Sequence, residues 1–263
     1  MLRQPVDNPG WDSRAEIVDG KYVERFPRRP DVRHRLEREC RILPVIAPLL
    51  PLPVPVPVVV PADAFGSWRV RHRIVPGVAS EPEALTEADG EKVGAFLRAL
   101  HDLPLQELGL DLVADDQLVP TIARMEQEVL PLLDPTLQKA GAALLDRAAR
   151  ETPLVFAHRD LGQDHVLVAD GAVSGVIDWT DACLGDPALD LAWVLHGTPI
   201  PFRDGVRRTY RPDSDELRRS LDWYQLGPWH EVLWGFDAGG EAYVESGLDG
   251  VHQRLREGPD GMA

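Results

Sequence analysis

Cysteine is almost absent from this chain. Cys40 and Cys183 are the only two; they lie in unrelated contexts and form no C-x-x-C pair. A disulfide framework is thereby excluded, and two isolated thiols read as small buried hydrophobes in a reducing cytosol. Long apolar runs are missing as well, since none approaches the roughly 18 residues that a membrane span needs. Met1-Leu2-Arg3-Gln4-Pro5 carries no apolar signal core, so the chain reads as a soluble cytoplasmic protein with no membrane partner. Positive charge is in deficit, with 28 basic residues against 43 acidic ones and a net charge of −15. Phosphates would be repelled over most of such a surface, which argues against a nucleic-acid partner. The same balance suits a cationic ligand, and equally a surface whose only task is solubility. No internal repeat is visible. What remains, 263 residues of which 44% are apolar, is enough for one large core or two lobes.

The informative stretch begins at His158. Val166-Leu167-Val168-Ala169 reads as a strand, Asp170-Gly171 as a tight turn, and Ala172 to Ile177 as the returning strand. Pairing across a two-residue turn brings His165 and Asp178 within about two residues of being opposite at the open end of the hairpin. With a rise of about 3.3 Å per residue, both side chains can reach one ligand. Asp160 lies on the loop leading into that same end. A carboxylate, an imidazole and a second carboxylate converging there read as a catalytic base beside a metal site.

Three motifs in order resemble the aminoglycoside phosphotransferase family, small-molecule kinases with a protein-kinase-like fold. They are His158-Arg159-Asp160 continuing to His165, Ile177-Asp178-Trp179, and Gly185-Asp186-Pro187 followed by Asp190-Leu191-Ala192. The resemblance covers nearly the whole chain. It implies an α+β, bilobal fold: a small antiparallel-sheet lobe over residues 1–76 that binds nucleotide, and a larger, mainly helical lobe over 77–263. It implies that Asp160 accepts or orients the proton of the attacking hydroxyl, and that His165 and Asp178 hold Mg²⁺ against the phosphates of ATP or GTP. His158 and Asp190 would support the loop structurally. Most of the family has asparagine where this chain has His165. Histidine there points to branches related to gentamicin-type 2″ enzymes and macrolide phosphotransferases, although imidazole is a less typical Mg²⁺ ligand than oxygen.

The N-terminal region fits the same pattern. Gly10-Trp11-Asp12-Ser13 opens a hairpin whose arms, Arg14 to Val18 and Tyr22 to Phe26, flank Asp19-Gly20-Lys21. Alone this is an ordinary turn; the resemblance makes Ser13 a phosphate contact. Arg25 stands in the strand where kinases place a phosphate-gripping lysine, and arginine would grip through a bidentate fork rather than a point charge. Without the resemblance it is a solvated strand cation. Residues 31–43 form a helix with Val32, Leu36, Cys40 and Leu43 inward and Asp31 as its cap. Glu39 sits beside that face, where the family pairs a helix glutamate with the basic strand residue.

Alternate prolines over 50–58 predict an extended edge segment entering a strand at 58–60. The strand over 67–75 is broken by Pro76-Gly77, where the resemblance places the lobe junction and purine contacts near His72. Val93, Phe96, Leu97 and Leu100 make an amphipathic stripe ending at a structural His101. Helices follow over 122–133 and 137–147, interrupted near Pro131 and Pro135, and over 223–235 and 242–255. Glu231, Glu241 and Glu245 are candidate contacts for a cationic substrate, or plain solvated surface.

Two other classes compete. His158, Asp160, His165 and Asp178 could ligate a hydrolytic Zn²⁺ or Mn²⁺, a reading that leaves Gly185-Asp186-Pro187 and the N-terminal region unexplained. Alternatively, a kinase-like protein could bind nucleotide without transferring phosphate, with Arg25 and His165 as its departures. For the enzyme, Asp164-His165 resembles the 2″-aminoglycoside branch. Pro27 to Val32 and Asp178-Trp179-Thr180 resemble the macrolide branch, and other hydroxylated metabolites also serve the superfamily.

Overall fold

The computed structural model describes residues 2–6, 12–61, 67–110 and 112–257. The expected hairpin opening at Gly10-Trp11 lies outside them. In chain order the elements are β1 (Arg3–Pro5), β2 (Ser13–Val18), β3 (Tyr22–Pro27), α1 (Pro30–Ile46), β4 (Val58–Val60), β5 (Arg69–Arg73) and β6 (Val78–Ala79). Next come α2 (Glu87–His101), α3 (Leu105–Leu108), α4 (Leu118–Arg124), α5 (Pro135–Ala148), β7 (Val155–Ala157), β8 (Val166–Ala169) and β9 (Ala172–Val176). Last are β10 (Cys183–Gly185), α6 (Pro187–His196), α7 (Ile200–Tyr210), α8 (Ser214–Trp234) and α9 (Glu241–Glu257). The class is α+β. Contacts group the chain into two units, Met1–Leu112 with His158–Ala182 and Pro199–Tyr210, and Val113–Ala157 with Cys183–Thr198 and Arg211–Ala263. The β8–β9 hairpin, which a cut after residue 76 would assign to the C-terminal lobe, groups with the N-terminal sheet.

In the first unit, five antiparallel strands run in the order β1-β2-β3-β5-β4. Alternation along β3 sorts its charges onto opposite faces. Glu24 points to one face, where it is fully buried among Arg3 at 2.8 Å, Arg69 at 2.9 Å and Arg71. Arg25 points to the other, the side on which Val70 packs with Val32 and Leu36 of α1. The predicted helix stopped at Leu43, but α1 continues through Pro44 to Ile46. Proline forfeits one backbone bond there, and the complete burial of Leu43 and Ile46 holds the last turn against that loss.

A second sheet, β6-β8-β9, carries the hairpin. Asp170 and Gly171 both have positive φ, as a two-residue primed turn requires. A register shift between Leu167 and Val168 alters the pairing beyond it, so Val166 faces Val176 and His165 bonds through its carbonyl to the Ile177 N–H at 2.9 Å. The proline-rich segment behaves as an edge, with Pro53 accepting from the Val176 N–H at 3.0 Å. Helices α2 and α7 cross so closely that a β-carbon on Gly90 would collide with the Phe202 carbonyl.

The start of α2 is tied to β9. Asp89 and Thr86 form a reciprocal cap, and the other Asp89 oxygen accepts from the Val173 N–H at 2.9 Å. Burial pushes the Asp89 carboxyl up, but these hydrogen bonds outweigh it and hold the group below its ordinary value. Asp89→Ala should therefore destabilise the protein by about 1–3 kcal/mol, measured by urea unfolding. Because the folded value is depressed, this contribution is present above the unfolded value of about 3.9. It is lost as pH falls through the folded value, so the gap between wild type and variant should close in acid.

The second unit is mainly helical, with Met125, Val129, Leu144, Trp229, Val232 and Val251 at the centre of its core. Its strands, β7 and β10, pair with each other. The expected helix over 122–133 is only partly regular. Helix α4 passes into a π turn at Met125–Val129 and a 3₁₀ turn at Leu130–Leu132, because Pro131 has no N–H to continue the α ladder. Among the described residues, no helix is long and apolar enough to cross a membrane.

Candidate active site

The site is assembled within the first unit, from β2, β3, α1 and the two loops at the open end of the β8–β9 hairpin. Arg25 is its buried centre. Its Nε donates to Ser13 Oγ at 3.2 Å, and one terminal nitrogen donates to both Glu39 oxygens at 3.2 and 3.1 Å. The other terminal nitrogen donates to Asp178 Oδ1 at 3.2 Å and to the Thr180 hydroxyl. A guanidinium has three nitrogens carrying five N–H donors, and each of the three has an acceptor here. Arg25 and Glu39 thus pair as expected, and Ser13 joins them from the neighbouring strand. Burial pushes the Arg25 guanidinium down, but Glu39 and then Asp178 more than reverse this, so it stays charged.

Asp178 lies at the exposed edge of this network, its side chain 40% accessible. Burial pushes its carboxyl up, and Arg25 followed by His165 pulls it below the usual carboxylate range, keeping it ionised. Its φ is +59°, and that of Arg159 is +70°. Non-glycine residues avoid this region, at a cost of order 1–3 kcal/mol each. Such backbone at both ends of the hairpin's approach marks a site where geometry is held against local preference.

The residues of the loop leading into β8 are locked by backbone contacts. His158, fully buried, meets the Ile177 carbonyl through Nε2 at 2.9 Å and accepts the Asp160 N–H on Nδ1 at 3.3 Å. It is therefore the neutral Nε2–H tautomer, with Trp179 edge-on at a centroid distance of 4.8 Å. Both nitrogens being engaged, it is a brace and not a metal ligand. His165 donates from Nδ1 to the Asp160 carbonyl, and its Nε2 lies 4.0 Å from Asp178 Oδ2. The Asp160 carboxylate, 57% accessible, lies 3.5 Å from His165 Nδ1.

Among the described residues no group of three His, Cys, Asp or Glu side chains is arranged to hold a metal ion. Two donors face each other, His165 Nε2 and Asp178 Oδ2, and an ion held by them would take its remaining ligands from elsewhere, as Mg²⁺ does from water and phosphates.

His72 is on β5, buried, with Nδ1 against the Arg73 carbonyl at 2.7 Å, and burial lowers its pKa. Asp190 and Glu231 belong to the second unit: Asp190 is fully buried on α6, and Glu231 is half-buried on α8 near Arg254. Sequence reading missed Thr180, which touches Arg25, Glu39 and Asp178. It also missed Arg35, which bonds Asp181 at 2.7 Å. The available signal for Thr180 was its place two residues after Asp178, returning to the same side of the chain.

Comparison with known proteins bears on the family and the fold. A model described as the phosphotransferase enzyme family matches residues 6–224. An aminoglycoside 3′-phosphotransferase of Streptomyces fradiae is 33% identical over 143 residues, covering 50% of this chain and 53% of that protein. A homoserine kinase of Methylocella silvestris is 34% identical over 114 residues, covering 41% of this chain and 36% of that protein. The chain thus spans about half or less of the length of these curated relatives. Among solved structures, the GDP and kanamycin complex of APH(2″)-IIIa superposes with a TM-score of 0.84 at 19% identity, covering 98% and 94% of the two chains. The macrolide 2′-phosphotransferase MphH from Brachybacterium faecium gives 0.70 at 23% identity, covering 95% and 91%. The fold is that of these kinase-like enzymes, and the chain belongs to the phosphotransferase enzyme family.

Proposed function

We propose that this protein is a cytoplasmic small-molecule kinase that moves the γ-phosphoryl group of ATP or GTP to a hydroxyl of an aminoglycoside-type acceptor. The observation carrying this reading is the accessible Asp160 carboxylate beside the His165–Asp178 pair, with the Arg25–Glu39 ion pair behind it. Phosphoryl transfer asks mainly for alignment and charge neutralisation. Asp160 accepts or orients the proton of the attacking hydroxyl. His165 and Asp178 would hold Mg²⁺, which supplies positive charge to the phosphate oxygens when bound. Residues 1–76, with Ser13, Arg25 and His72, form the nucleotide lobe, and 77–263 the catalytic and acceptor lobe. Arg25 meets phosphate by exchanging a present partner, and the exposed Asp178 contact is the one open to exchange. The net charge of −15 supports a cationic acceptor.

The match to a homoserine kinase favours, as a second reading, a small hydroxylated metabolite as acceptor. Nucleoside-diphosphate release with Mg-ATP and Mg-GTP, across aminoglycosides, macrolides and homoserine, with mass spectrometry of products, tests both. An aminoglycoside gaining one phosphoryl group is the expected result; phosphorylation of homoserine alone would establish the second reading. Nucleotide binding with no transfer to any acceptor would overturn both.

A further inference from the structure

We infer that Thr180 is a positioning residue whose hydroxyl sets the metal-binding carboxylate of Asp178 relative to the Arg25–Glu39 pair. The inference rests on the kinase reading and adds to it a residue to which the family resemblance assigned no role. Thr180 is 3% exposed, so its hydroxyl has no access to bulk water and must be satisfied by protein. It accepts from an Arg25 terminal nitrogen, and it lies 2.9 Å from Asp178 Oδ1 and 3.1 Å from Glu39 Oε1. A hydroxyl has one proton and two lone pairs. At any moment it therefore donates to one of the two carboxylates while accepting from the arginine they share.

This arrangement fixes more than a lone ion pair could. Arg25 contacts Asp178 through Oδ1 only, and the opposite oxygen, Oδ2, faces His165. One contact leaves the carboxylate free to rotate about its own axis. Thr180 adds a second contact to the same Oδ1, from a different direction, and pins that oxygen so that Oδ2 stays turned toward His165. Because the proton can turn to Glu39 instead, Asp178 can release Thr180 on taking up a cation without leaving the hydroxyl unpaired. Residues that orient a metal ligand from behind typically matter by about 10–100-fold in metal affinity or activity.

Thr180→Val, which keeps the shape and removes the hydroxyl, and Thr180→Ser, which keeps the hydroxyl, separate this role from packing. Mn²⁺ binding to protein saturated with a non-hydrolysable nucleotide, followed by electron paramagnetic resonance, reads the effect without turnover. Thr180→Val should weaken Mn²⁺ binding and raise the Mg²⁺ concentration for half-maximal turnover, each by about 10–100-fold. Thr180→Ser should restore most of both, and metal-free nucleotide affinity should stay unchanged in either variant. Wild-type Mn²⁺ binding by Thr180→Val overturns the inference and leaves the kinase reading intact, as does equal impairment of the serine variant. Absence of nucleotide-dependent Mn²⁺ binding by the wild type overturns both.

Discussion

Asp160→Ala should lower turnover by about 10²–10⁴-fold, the usual contribution of a positioned general base, while nucleotide affinity stays close to wild type. The two effects separate because of how the loop is held. The Asp160 backbone, through its N–H to His158 and its carbonyl to His165, does the bracing, and alanine keeps both bonds. The carboxylate points where more than half of it is accessible, available to an acceptor hydroxyl. Single-turnover phosphoryl transfer and fluorescent-nucleotide titration on the same preparation give the two numbers. A parallel loss of nucleotide affinity would assign Asp160 to binding instead of proton handling.

Arg25→Met should cost about 3–5 kcal/mol of stability, the penalty for stranding a buried charge without its partner. Its side chain is 11% accessible and that of Glu39 only 4%, so water cannot replace the lost guanidinium. Adding Glu39→Gln to the methionine variant should recover part of the loss by removing the stranded charge. Arg25→Lys should fall between, because one ammonium cannot span Ser13, Glu39, Asp178 and Thr180 at once. Guanidinium chloride unfolding measures each. A methionine variant as stable as wild type would mean that Glu39 finds another partner or takes up a proton at little expense.

Much of this was readable from the chain. The turn at Asp170-Gly171 was legible because both residues suit positive φ, and it brings His165 and Asp178 together at the open end of the hairpin. The pairing of Arg25 with Glu39 came from the family pattern, and strand parity with helix phase then explain it: both fall on the faces that meet. Illegible was the shift between Leu167 and Val168, since a bulge carries no local signature in a run of valine and leucine. Thr180 was passed over because a lone hydroxyl gives no charge signal, and two of its three partners, Arg25 and Glu39, are distant in sequence. Helix phase also said nothing about the π turn at Met125–Val129, which follows from a proline outside it. The grouping of the hairpin with the N-terminal sheet depends on long-range contacts, which no local pattern encodes.

The buried arginine with four partner residues has a consequence for the timing of synthesis. Ser13 and Glu39 lie 12 and 14 residues from Arg25, whereas Asp178 and Thr180 lie 153 and 155 residues away. At about 5–20 residues per second, a ribosome delivers the distant pair roughly 8–30 s after the near one. During that interval the young sheet can already hold its buried cation against one carboxylate and one hydroxyl, with two of its donors still waiting. The carboxylate and hydroxyl of Asp178 and Thr180 then arrive as a late addition to a charge already in place.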